Sequence, residues 1–308
     1  MSKITVCVPY FNDGDIIFDS VSRLVNVPEV EILLIDDGSY IPLSPALAVT
    51  DNVRIIRHSR NLGVGAAFDT GVRAAKGDII LLMGADVFQP PDWKWHVERL
   101  GKEHPEGIIA AACASVLPEN DYRIETEPRA GAELRLKQPA SARDTWFKER
   151  NYNDILLGAW LNPSPTEFAK CTCLMGASYV VNKAWYQHIH GFKGHRKWGA
   201  LEPFISIKSW MAGGYVAADP SWVVGHVFHR DPLSRRPGLL NYVYYNKLFL
   251  LHTCLPELAR DLDAFLGNAT AIGQGRQLLR QFRAEVEKER EYNKSIFKLS
   301  SVEFLSLL

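Results

Sequence analysis

The sequence predicts an α/β fold with a mostly parallel sheet flanked by helices and followed by a helical extension. Short apolar runs rich in β-branched residues alternate with helix-like segments through the first third of the chain, an order typical of parallel sheets. Carboxylates follow the second and fourth of these runs, at the strand ends where such sheets bind ligands. From Pro237 onward, the pattern is mostly helical.

Six elements of the first third are predicted from periodicity. Continuous apolar runs predict buried strands, and apolar residues near helical spacing predict helices on the faces of the sheet. In order, these are a strand at 4–10, a helix at 15–26, strands at 30–39 and 52–59, a helix at 65–77 and a strand at 78–86.

The middle of the chain is less regular. Residues 118–168 mix charges with several prolines, and we expect either partly helical structure or a mobile lid there. A second apolar block follows at 173–186.

The composition is that of a folded soluble protein without a general affinity for nucleic acid. Of 308 residues, 47% are hydrophobic and 23% are charged, and 35 basic residues balance 35 acidic ones. The five cysteines are scattered without a Cys-x-x-Cys pair, which indicates neither a disulfide framework nor a zinc knuckle. The first residues show no signal-peptide pattern, and the apolar stretch 107–117 is shorter than the roughly 20 residues of a membrane span. We therefore expect a cytoplasmic protein.

The stretch ILLIDDGSY ends a predicted strand in two carboxylates. Asp36 and Asp37 lie there, and Pro9, Tyr10 and Asn12 lie at the end of the first strand. A carboxylate accepts hydrogen bonds from a base N–H or a ribose hydroxyl, and a tyrosine stacks on a base, so this edge is a candidate nucleotide site. Turn chemistry alone is the alternative, because aspartate and serine are common in turns.

The segment RHSRNLGVGAAFDTG brings Arg60 and Asn61 to a glycine-rich helix start at Gly63. Backbone amides at a helix start suit an anion, and an arginine suits a phosphate or a base carbonyl. Close packing of the helix on the sheet is the other explanation for the small residues.

Two later residues are candidate metal ligands. Asp86 ends the strand in LLMGADVF, and His226 follows a β-branched run in WVVGHVFHR. A carboxylate suits Mg²⁺ or Mn²⁺, and an imidazole can join it on Mn²⁺. A helix cap or turn would equally explain Asp86, and a surface or core position is the simpler interpretation of the nearby His229.

These segments together resemble the GT-A-fold glycosyltransferases of the family 2 type. VCVPYFNDGDIIFDSVSRL, VEILLIDDGS and RNLGVGAAFDTGVRAAKGDIILLMGADV carry the resemblance in the first half. In the second half, CLMGASYVVNKAWYQHIHGF and WGALEPFISIKSWMAGGYVAADPSWVVGHVFHR are similar to the catalytic domain of the polypeptide N-acetylgalactosaminyltransferases, which carry Trp-Gly-Gly-Glu-Asn and Val-Gly-His-Val-Phe-Arg there. The likeness covers roughly residues 3–230.

The resemblance implies an enzyme that moves a sugar from a nucleotide-sugar donor, UDP-linked, to an acceptor hydroxyl, with Mn²⁺ or Mg²⁺ as cofactor. Asp86 and His226 would hold the metal, and Glu202 and Asp86 would be catalytic. The donor-binding residues implied are Pro9, Tyr10, Asn12, Asp36, Asp37, Arg60, Asn61, Gly63, Gly84, Ala85, Gly176 and Trp198.

The resemblance also divides the chain into three parts. Residues 1–115 are expected to form the nucleotide-sugar-binding half of a GT-A domain, residues 116–236 its acceptor-binding half, and residues 237–308 a C-terminal helical extension.

Two departures from the family pattern bear on metal binding and mechanism. The family's metal motif is Asp-x-Asp or Asp-x-His, whereas Gly84 stands at its first position here. In WGALEP, Leu201 stands where retaining enzymes carry Glu, and Glu202 stands where they carry Asn and many inverting relatives carry the base Asp. An inverting transfer needs a carboxylate that takes the acceptor's proton, and a retaining transfer does not. Both outcomes stay open at this point.

Several partners are compatible with this reading. A glycan, a lipid-linked sugar or a protein is the expected acceptor, and a modified DNA base is an alternative acceptor. A separate alternative for the function is a non-catalytic nucleotide-sugar binder, which the glycine at position 84 suggests. The apolar stretch LLNYVYYNKLFLLHTCLPELA indicates either packing on the catalytic domain or peripheral membrane contact. A surface for DNA would consist of Arg129, Arg135, Lys137, Arg143, Lys148, Arg150 and the runs 194–198 and 234–236.

Overall fold

The computed structural model describes residues 4–48, 50–141, 152–228 and 238–308. Within these residues, the strands are β1 Ile4–Tyr10, β2 Val30–Asp36, β3 Val53–Arg57, β4 Ile79–Met83, β5 Val87–Phe88, β6 Gly107–Ser115, β7 Ala132–Gln138, β8 Asp154–Trp160, β9 Ala169–Cys171, β10 Ser178–Asn182 and β11 Tyr215–His226. The helices are α1 Ile16–Ser22, α2 Val64–Ala74, α3 Trp93–Glu103, α4 Lys183–His188, α5 Leu201–Met211, α6 Leu239–Cys254, α7 Ala259–Leu266, α8 Thr270–Gln281, α9 Arg283–Ile296 and α10 Ser301–Leu305.

A large sheet in the order β3-β2-β1-β4-β10-β6-β11-β5 forms the centre of the fold, with β9 paired to β11. The first four strands of this order are parallel to one another, as predicted. Strand β10 runs antiparallel to both of its neighbours, β4 and β6. The start of β10 therefore lies at the same edge as the end of β4. The predicted α/β class with a mainly parallel sheet and flanking helices is confirmed.

Alternate residues of the central strands enter two apolar layers, one on each face of the sheet. Along β2, Leu33 and Ile35 join a cluster that contains side chains of α2, α5 and α6. Ile32 and Leu34 join the opposite cluster, with side chains of α1 and α3. Because both faces are covered, the strand is apolar without a break from Ile32 to Ile35 rather than alternating in polarity.

The described part of the middle of the chain contains a pair of antiparallel strands. Strands β7 and β8 pair antiparallel as a separate sheet, so the expectation of partly helical structure is wrong for these two segments. The sequence AELRLKQ of β7 alternates in polarity, which is the period of a strand. Residues 142–151, and with them three members of the proposed basic surface, lie outside the described residues.

The chain after residue 237 folds as helices, as predicted. Most of α6 is buried, and its Phe249 stacks on Phe204 of α5 with ring centroids 5.9 Å apart. This burial favours packing over membrane contact as the reason for the apolar character of α6. In the part of the chain that the structure describes, no helix has the length and apolar character needed to span a membrane. The predicted three-part division stays a prediction.

Candidate active site

The first carboxylate of the strand tip closes a turn. Asp36 is buried, and its carboxylate accepts hydrogen bonds from the amides of Ser39 at 2.9 Å and Leu43 at 3.1 Å and pairs with Arg57. Burial raises the pKa of Asp36, but the hydrogen bonds from Ser39, Leu43 and Arg57 outweigh it, so the pKa lies below its ordinary value. Asp36 is therefore an ionised side chain that holds residues 36–43 together.

The second carboxylate holds the glycine-rich loop. Asp37 is buried; its Oδ1 lies 2.7 Å from His58 Nδ1 and accepts from the Leu62 amide at 2.8 Å. Its Oδ2 accepts from Asn61 Nδ2 at 2.9 Å and from the Gly63 amide at 2.7 Å. A carboxylate has about four acceptor sites, so all of them are used by the protein. Turn chemistry, the alternative that the sequence left open, accounts for Asp36, whereas Asp37 holds the separate loop that carries Gly63. A direct contact of either aspartate with a base stays a prediction.

The exposed side chains at the ends of β1 and β2 differ in part from those that the sequence predicted to contact a nucleotide. Tyr10 is only 8% exposed and packs in the core, a position that does not fit the expected stacking of its ring on a base. Tyr40 is 89% exposed and lies 6.2 Å from the Phe11 ring, so it offers the aromatic face that Tyr10 does not. Asn12 is exposed, and its side-chain oxygen accepts from the Tyr40 amide at 2.9 Å.

A lysine that the sequence reasoning missed completes this edge. Lys197 Nζ donates to the carbonyl of Asn61 at 2.6 Å and to its side-chain oxygen at 3.0 Å. The Lys197 backbone pairs with the same loop, donating to Leu62 and accepting from Val64. Burial lowers the pKa of Lys197, against the opposing charge of Asp37. From the sequence, the run GHRKW suggested only a basic surface. In the structure, its Lys197 contacts the glycine-rich loop beside Asn61.

Gly63 is required for this close approach of two backbones. It has φ +114°, and a Cβ there would lie 2.2 Å from the Lys197 amide nitrogen. The approach of the Lys197 backbone, rather than the packing of the helix on the sheet that the sequence left open, is thus sufficient to explain Gly63.

Replacing Gly63 by alanine is expected to lower the free energy of unfolding by at least about 2 kcal/mol, because overpacking and a left-handed φ both oppose the added methyl group. Gly273→Ala in α8 is the matched control, because nothing lies within 4 Å of the added Cβ. The control should be neutral or slightly stabilising. Chemical denaturation of both variants checks this, and equal stability of the two would contradict it.

Asp86 and His226 meet, although 140 residues separate them. In the register of β11 and β5, His226 lies opposite Val87, and the Val227 amide donates to the Asp86 carbonyl at 3.1 Å. His226 Nε2 lies 3.4 Å from Asp86 Oδ2, and each side chain is 19% exposed. Burial alone would lower the pKa of His226, but its interaction with Asp86 prevails and raises the pKa to about 10.

The missing first aspartate of the metal motif has a local consequence. A Cβ at Gly84 would lie 2.7 Å from Asp86 Oδ1, so the Asp86 carboxylate occupies the space next to the glycine. Ala85 is buried, and the Gly84 amide donates to the carbonyl of Ala177 at 3.1 Å. The strand end at 84–86 thus contacts the segment that precedes β10.

That segment also carries Gly176, and it leads to Glu202. Gly176 has φ +126°, and its carbonyl accepts from the Tyr179 hydroxyl at 2.7 Å. The same hydroxyl lies 3.2 Å from Glu202 Oε1, at the first turn of α5. Glu202 is half-buried; burial raises its pKa, against smaller effects of its hydrogen bonds and of His226. The Tyr179 hydroxyl thus links Glu202 to the segment that contacts the strand end carrying Asp86.

The loop that precedes Glu202 is held by the C-terminal helices. The buried Asn246 of α6 accepts from the Arg196 amide at 2.8 Å and donates to the carbonyls of Arg196 at 2.9 Å and Gly199 at 3.0 Å. Half-buried Trp198 lies inside this loop. Residues 196–199 are thus bound to α6 on one side. Through Lys197 they also contact the glycine-rich loop, and Glu202 follows them in the chain.

The residues present fit a divalent cation bound together with a ligand. Adjacent ligands of an octahedral Mg²⁺ lie about 3 Å apart, close to the separation of Asp86 Oδ2 and His226 Nε2. A carboxylate and an imidazole form a donor set that suits Mn²⁺. Among the described residues, no group of three or more His, Cys, Asp or Glu side chains could hold a metal ion by itself. The remaining coordination positions would therefore be filled by water or by an anionic ligand such as a diphosphate.

The sheet order, with β10 antiparallel between β4 and β6, and the carboxylate–histidine pair at the strand ends describe a layered α/β protein with a candidate ligand site at one edge of its sheet. The family model described as "Glycosyl transferase family 2" matches residues 5–163. The chain belongs to this family.

Relatives agree with this assignment. Polypeptide N-acetylgalactosaminyltransferase 10 of Rattus norvegicus is 27% identical over 246 residues, which are 75% of this chain and 38% of that protein. Polypeptide N-acetylgalactosaminyltransferase 12 of Mus musculus is 25% identical over 263 residues, which are 79% of this chain and 43% of that protein. The chain thus spans less than half the length of these curated relatives.

Solved structures share the fold. A crystal structure of GalNAc-T7 with UDP, GalNAc and Mn²⁺ has a TM-score of 0.60 at 19% identity, over 92% of this chain and 55% of that one. The mannosyltransferase PcManGT from Pyrobaculum calidifontis, in complex with GDP-Man and Mn²⁺, has a TM-score of 0.50 at 16% identity, over 92% of this chain and 75% of that one. The GT-A fold expected from the sequence is confirmed.

Proposed function

We propose that this protein transfers a sugar from a UDP-linked donor to an acceptor hydroxyl with the help of Mn²⁺. The observation that carries the proposal is the pairing of Asp86 with His226 at one edge of the family 2 sheet, with Glu202 joined through Tyr179 to the adjacent segment. The GalNAc-T7 structure, which contains UDP, GalNAc and Mn²⁺, supports UDP and manganese as the first choices to test.

Each residue of the cleft has a distinct task in this proposal. Asp86 and His226 would hold the cation, which would supply positive charge for the departing diphosphate. Arg60 and Lys197 add positive charge at the donor edge, and Asn12 and Tyr40 offer a polar group and an aromatic face to the nucleoside. Trp198 and Gly176 border the sugar side of the cleft.

Glu202 is proposed to accept the proton of the acceptor hydroxyl. A base works best when its pKa is close to the working pH, and burial raises the pKa of Glu202 in that direction. Leu201, beside it, carries no acid. This assignment favours inversion at the anomeric carbon, and the anomeric proton coupling of the product, measured by NMR, distinguishes inversion from retention.

A glycan, lipid-linked sugar or protein remains the preferred acceptor over DNA. Among the described members of the basic set, Arg135 pairs with Glu133 at 2.8 Å, and Lys137 lies over the Phe265 ring at 5.3 Å. These charges are therefore partly used within the protein. Salt-sensitive retention of DNA by the purified chain would instead favour the nucleobase acceptor.

A thermal-shift experiment tests the proposal most directly. UDP-sugars at about 100 times their dissociation constant should stabilise the folded chain by about 2.7 kcal/mol, which corresponds to a rise of roughly 5 °C in melting temperature. The rise should require Mn²⁺ and should be larger than with GDP-sugars. Release of UDP from the same mixtures, measured over time, reports transfer or hydrolysis.

The outcomes separate the alternatives. A shift without UDP release under any acceptor condition would support the non-catalytic binder that Gly84 suggests. A larger shift with GDP-mannose would contradict UDP as the donor nucleotide. The absence of any shift with nucleotide sugars and Mn²⁺ would overturn the proposed function.

A further inference from the structure

The Tyr179 hydroxyl lies between the carbonyl of Gly176 at 2.7 Å and the carboxyl of Glu202 at 3.2 Å. Its ring is 4% exposed and fixed in the middle of the sheet, because β10 pairs with β4 on one side and β6 on the other. Strand pairing therefore fixes the backbone of Tyr179, and burial restricts the movement of its ring.

The two contacts compete for one proton. A phenol donates a single hydrogen bond and accepts up to two. When Glu202 is protonated, its carboxyl donates to the Tyr179 oxygen and the phenol donates to Gly176, so that every group is satisfied. When Glu202 is ionised, the phenol can turn its proton toward the carboxylate instead. Both protonation states of Glu202 thus have a hydrogen bond with the same oxygen, and the carboxyl keeps its place as it gains or loses a proton.

We infer that Tyr179 is the positioning residue that holds the Glu202 carboxyl where it accepts the acceptor's proton. The inference rests on the function proposed above. Other ionisable groups near Glu202 are His226, across the cleft, and Cys173, which is fully buried. Burial and the Glu202 charge raise the pKa of Tyr179 well above its ordinary value, so the phenol stays protonated and available as a donor.

A kinetic double-mutant cycle tests the inference. Tyr179→Phe keeps the ring and removes the hydroxyl, and it should lower kcat about tenfold, as expected for one hydrogen bond to a charged group, with the KM of the donor changed by less than about twofold. In a Glu202→Gln background, the same substitution should change kcat by less than about twofold, because the group it positions is gone. Equal losses in both backgrounds, or a change in KM alone, would overturn the inference.

Tyr292→Phe is the matched control. The Tyr292 hydroxyl also donates to a carbonyl, that of His188 at 2.8 Å, but it lies on α9 outside the cleft. We expect its kcat and KM to equal those of the unchanged protein. Because each variant is compared with the unchanged protein, absence of turnover in the latter with every donor would contradict the proposed function and not the role of Tyr179.

A measurement that does not depend on turnover tests whether Tyr179 and Glu202 interact. With 3-fluorotyrosine incorporated at Tyr179, the ¹⁹F resonance should move when Glu202 is replaced by glutamine and should stay in place in Asp261→Asn, an exposed carboxylate on α7. An unchanged resonance in Glu202→Gln would show that the two groups do not interact, and it would overturn the inference even if the enzyme is active.

Discussion

Replacing Asp86 by asparagine is expected to reduce kcat/KM for sugar transfer at least about 100-fold, with little change in melting temperature. The physical reason is electrostatic. The amide keeps the size of the side chain but removes the negative charge that attracts the cation, and loss of one preorganised charge-stabilising group typically costs two to three orders of magnitude in rate. Burial by itself lowers the pKa of His226, so without the Asp86 charge the imidazole becomes neutral and no unpaired charge is left at this position.

His226→Asn should have an effect of similar size, and the double variant should be no worse than the worse single one. Groups that act as one unit are strongly non-additive, and both side chains would hold the same ion. Direct Mn²⁺ binding, measured by calorimetry in the presence of UDP, gives a readout besides activity: both variants should bind the ion at least tenfold more weakly.

Two exposed residues supply the controls for this pair. Asp261→Asn and His188→Asn make the same chemical changes outside the cleft and should leave transfer and Mn²⁺ binding unchanged. Transfer by Asp86→Asn at near-normal rate and with unchanged Mn²⁺ dependence would show that the cation, if required at all, binds elsewhere.

The amino-terminal part of the fold was predictable because its strands are covered on both faces. Continuous apolar runs such as ITVCVPY and the run ending at Asp36 have no other stable place than the centre of a layered α/β sheet. The direction of β10 was not predictable in the same way. It depends on pairing with β4, about 100 residues earlier, and no local pattern encodes that choice.

The hairpin of β7 and β8 was missed although β7 carries the signal. Polarity alternates through AELRLKQ, yet the surrounding prolines and charges drew attention to irregular structure instead. The period of two should have outweighed the composition of the flanking residues.

In the candidate site, too, some residues could be predicted from the sequence and others could not. Asp86 and His226 were proposed from their motifs, and the register of β11 with β5 shows how they meet. The roles of Lys197 and Tyr179 arise only from tertiary contacts, since neither stands in a distinctive motif. Asp37 illustrates the opposite case: its motif suggested a ligand contact, but four donors from its own chain already occupy the carboxylate.

The second large effect is expected at the buried ion pair that joins α5 to α9. Lys208 of α5 and Glu289 of α9 are each 1% exposed, with Nζ and Oε1 3.1 Å apart. Lys208 also donates to the Gly191 carbonyl at 3.1 Å, and Glu289 Oε2 lies 3.2 Å from His190 Nδ1. Lys208→Met should lower the free energy of unfolding by about 3 kcal/mol, near the lower end of the range for breaking a buried pair, because Lys193, with Nζ 3.5 Å from Oε2, and His190 remain beside the carboxylate.

The control variants separate the charge from the packing. Lys102→Met removes the partner of Glu98 in an exposed pair and should cost less than about 1 kcal/mol. The double variant Lys208→Met with Glu289→Leu replaces the buried pair by apolar groups and should regain most of the loss. If the double variant is as unstable as Lys208→Met, the packing of the lysine stem is the cause rather than the unpaired charge.

The pH dependence gives an independent check, and its sign follows from Glu289. Burial raises the pKa of Glu289, but Lys208 and His190 lower it by more than burial raises it, so the pKa in the folded protein lies below the ordinary value of 4.5. The stabilisation from this group is therefore fully present above the unfolded pKa and is lost as the pH falls through the folded pKa.

In Lys208→Met, the carboxyl loses its main partner and its pKa rises, so protonation at acidic pH removes the charge that lacks its partner. The difference in urea midpoint between the unchanged protein and Lys208→Met should consequently be large at pH 7 and shrink below about pH 4.5. A difference that stays constant between pH 7 and pH 4 would mean that the Glu289 charge does not contribute to the docking of α9.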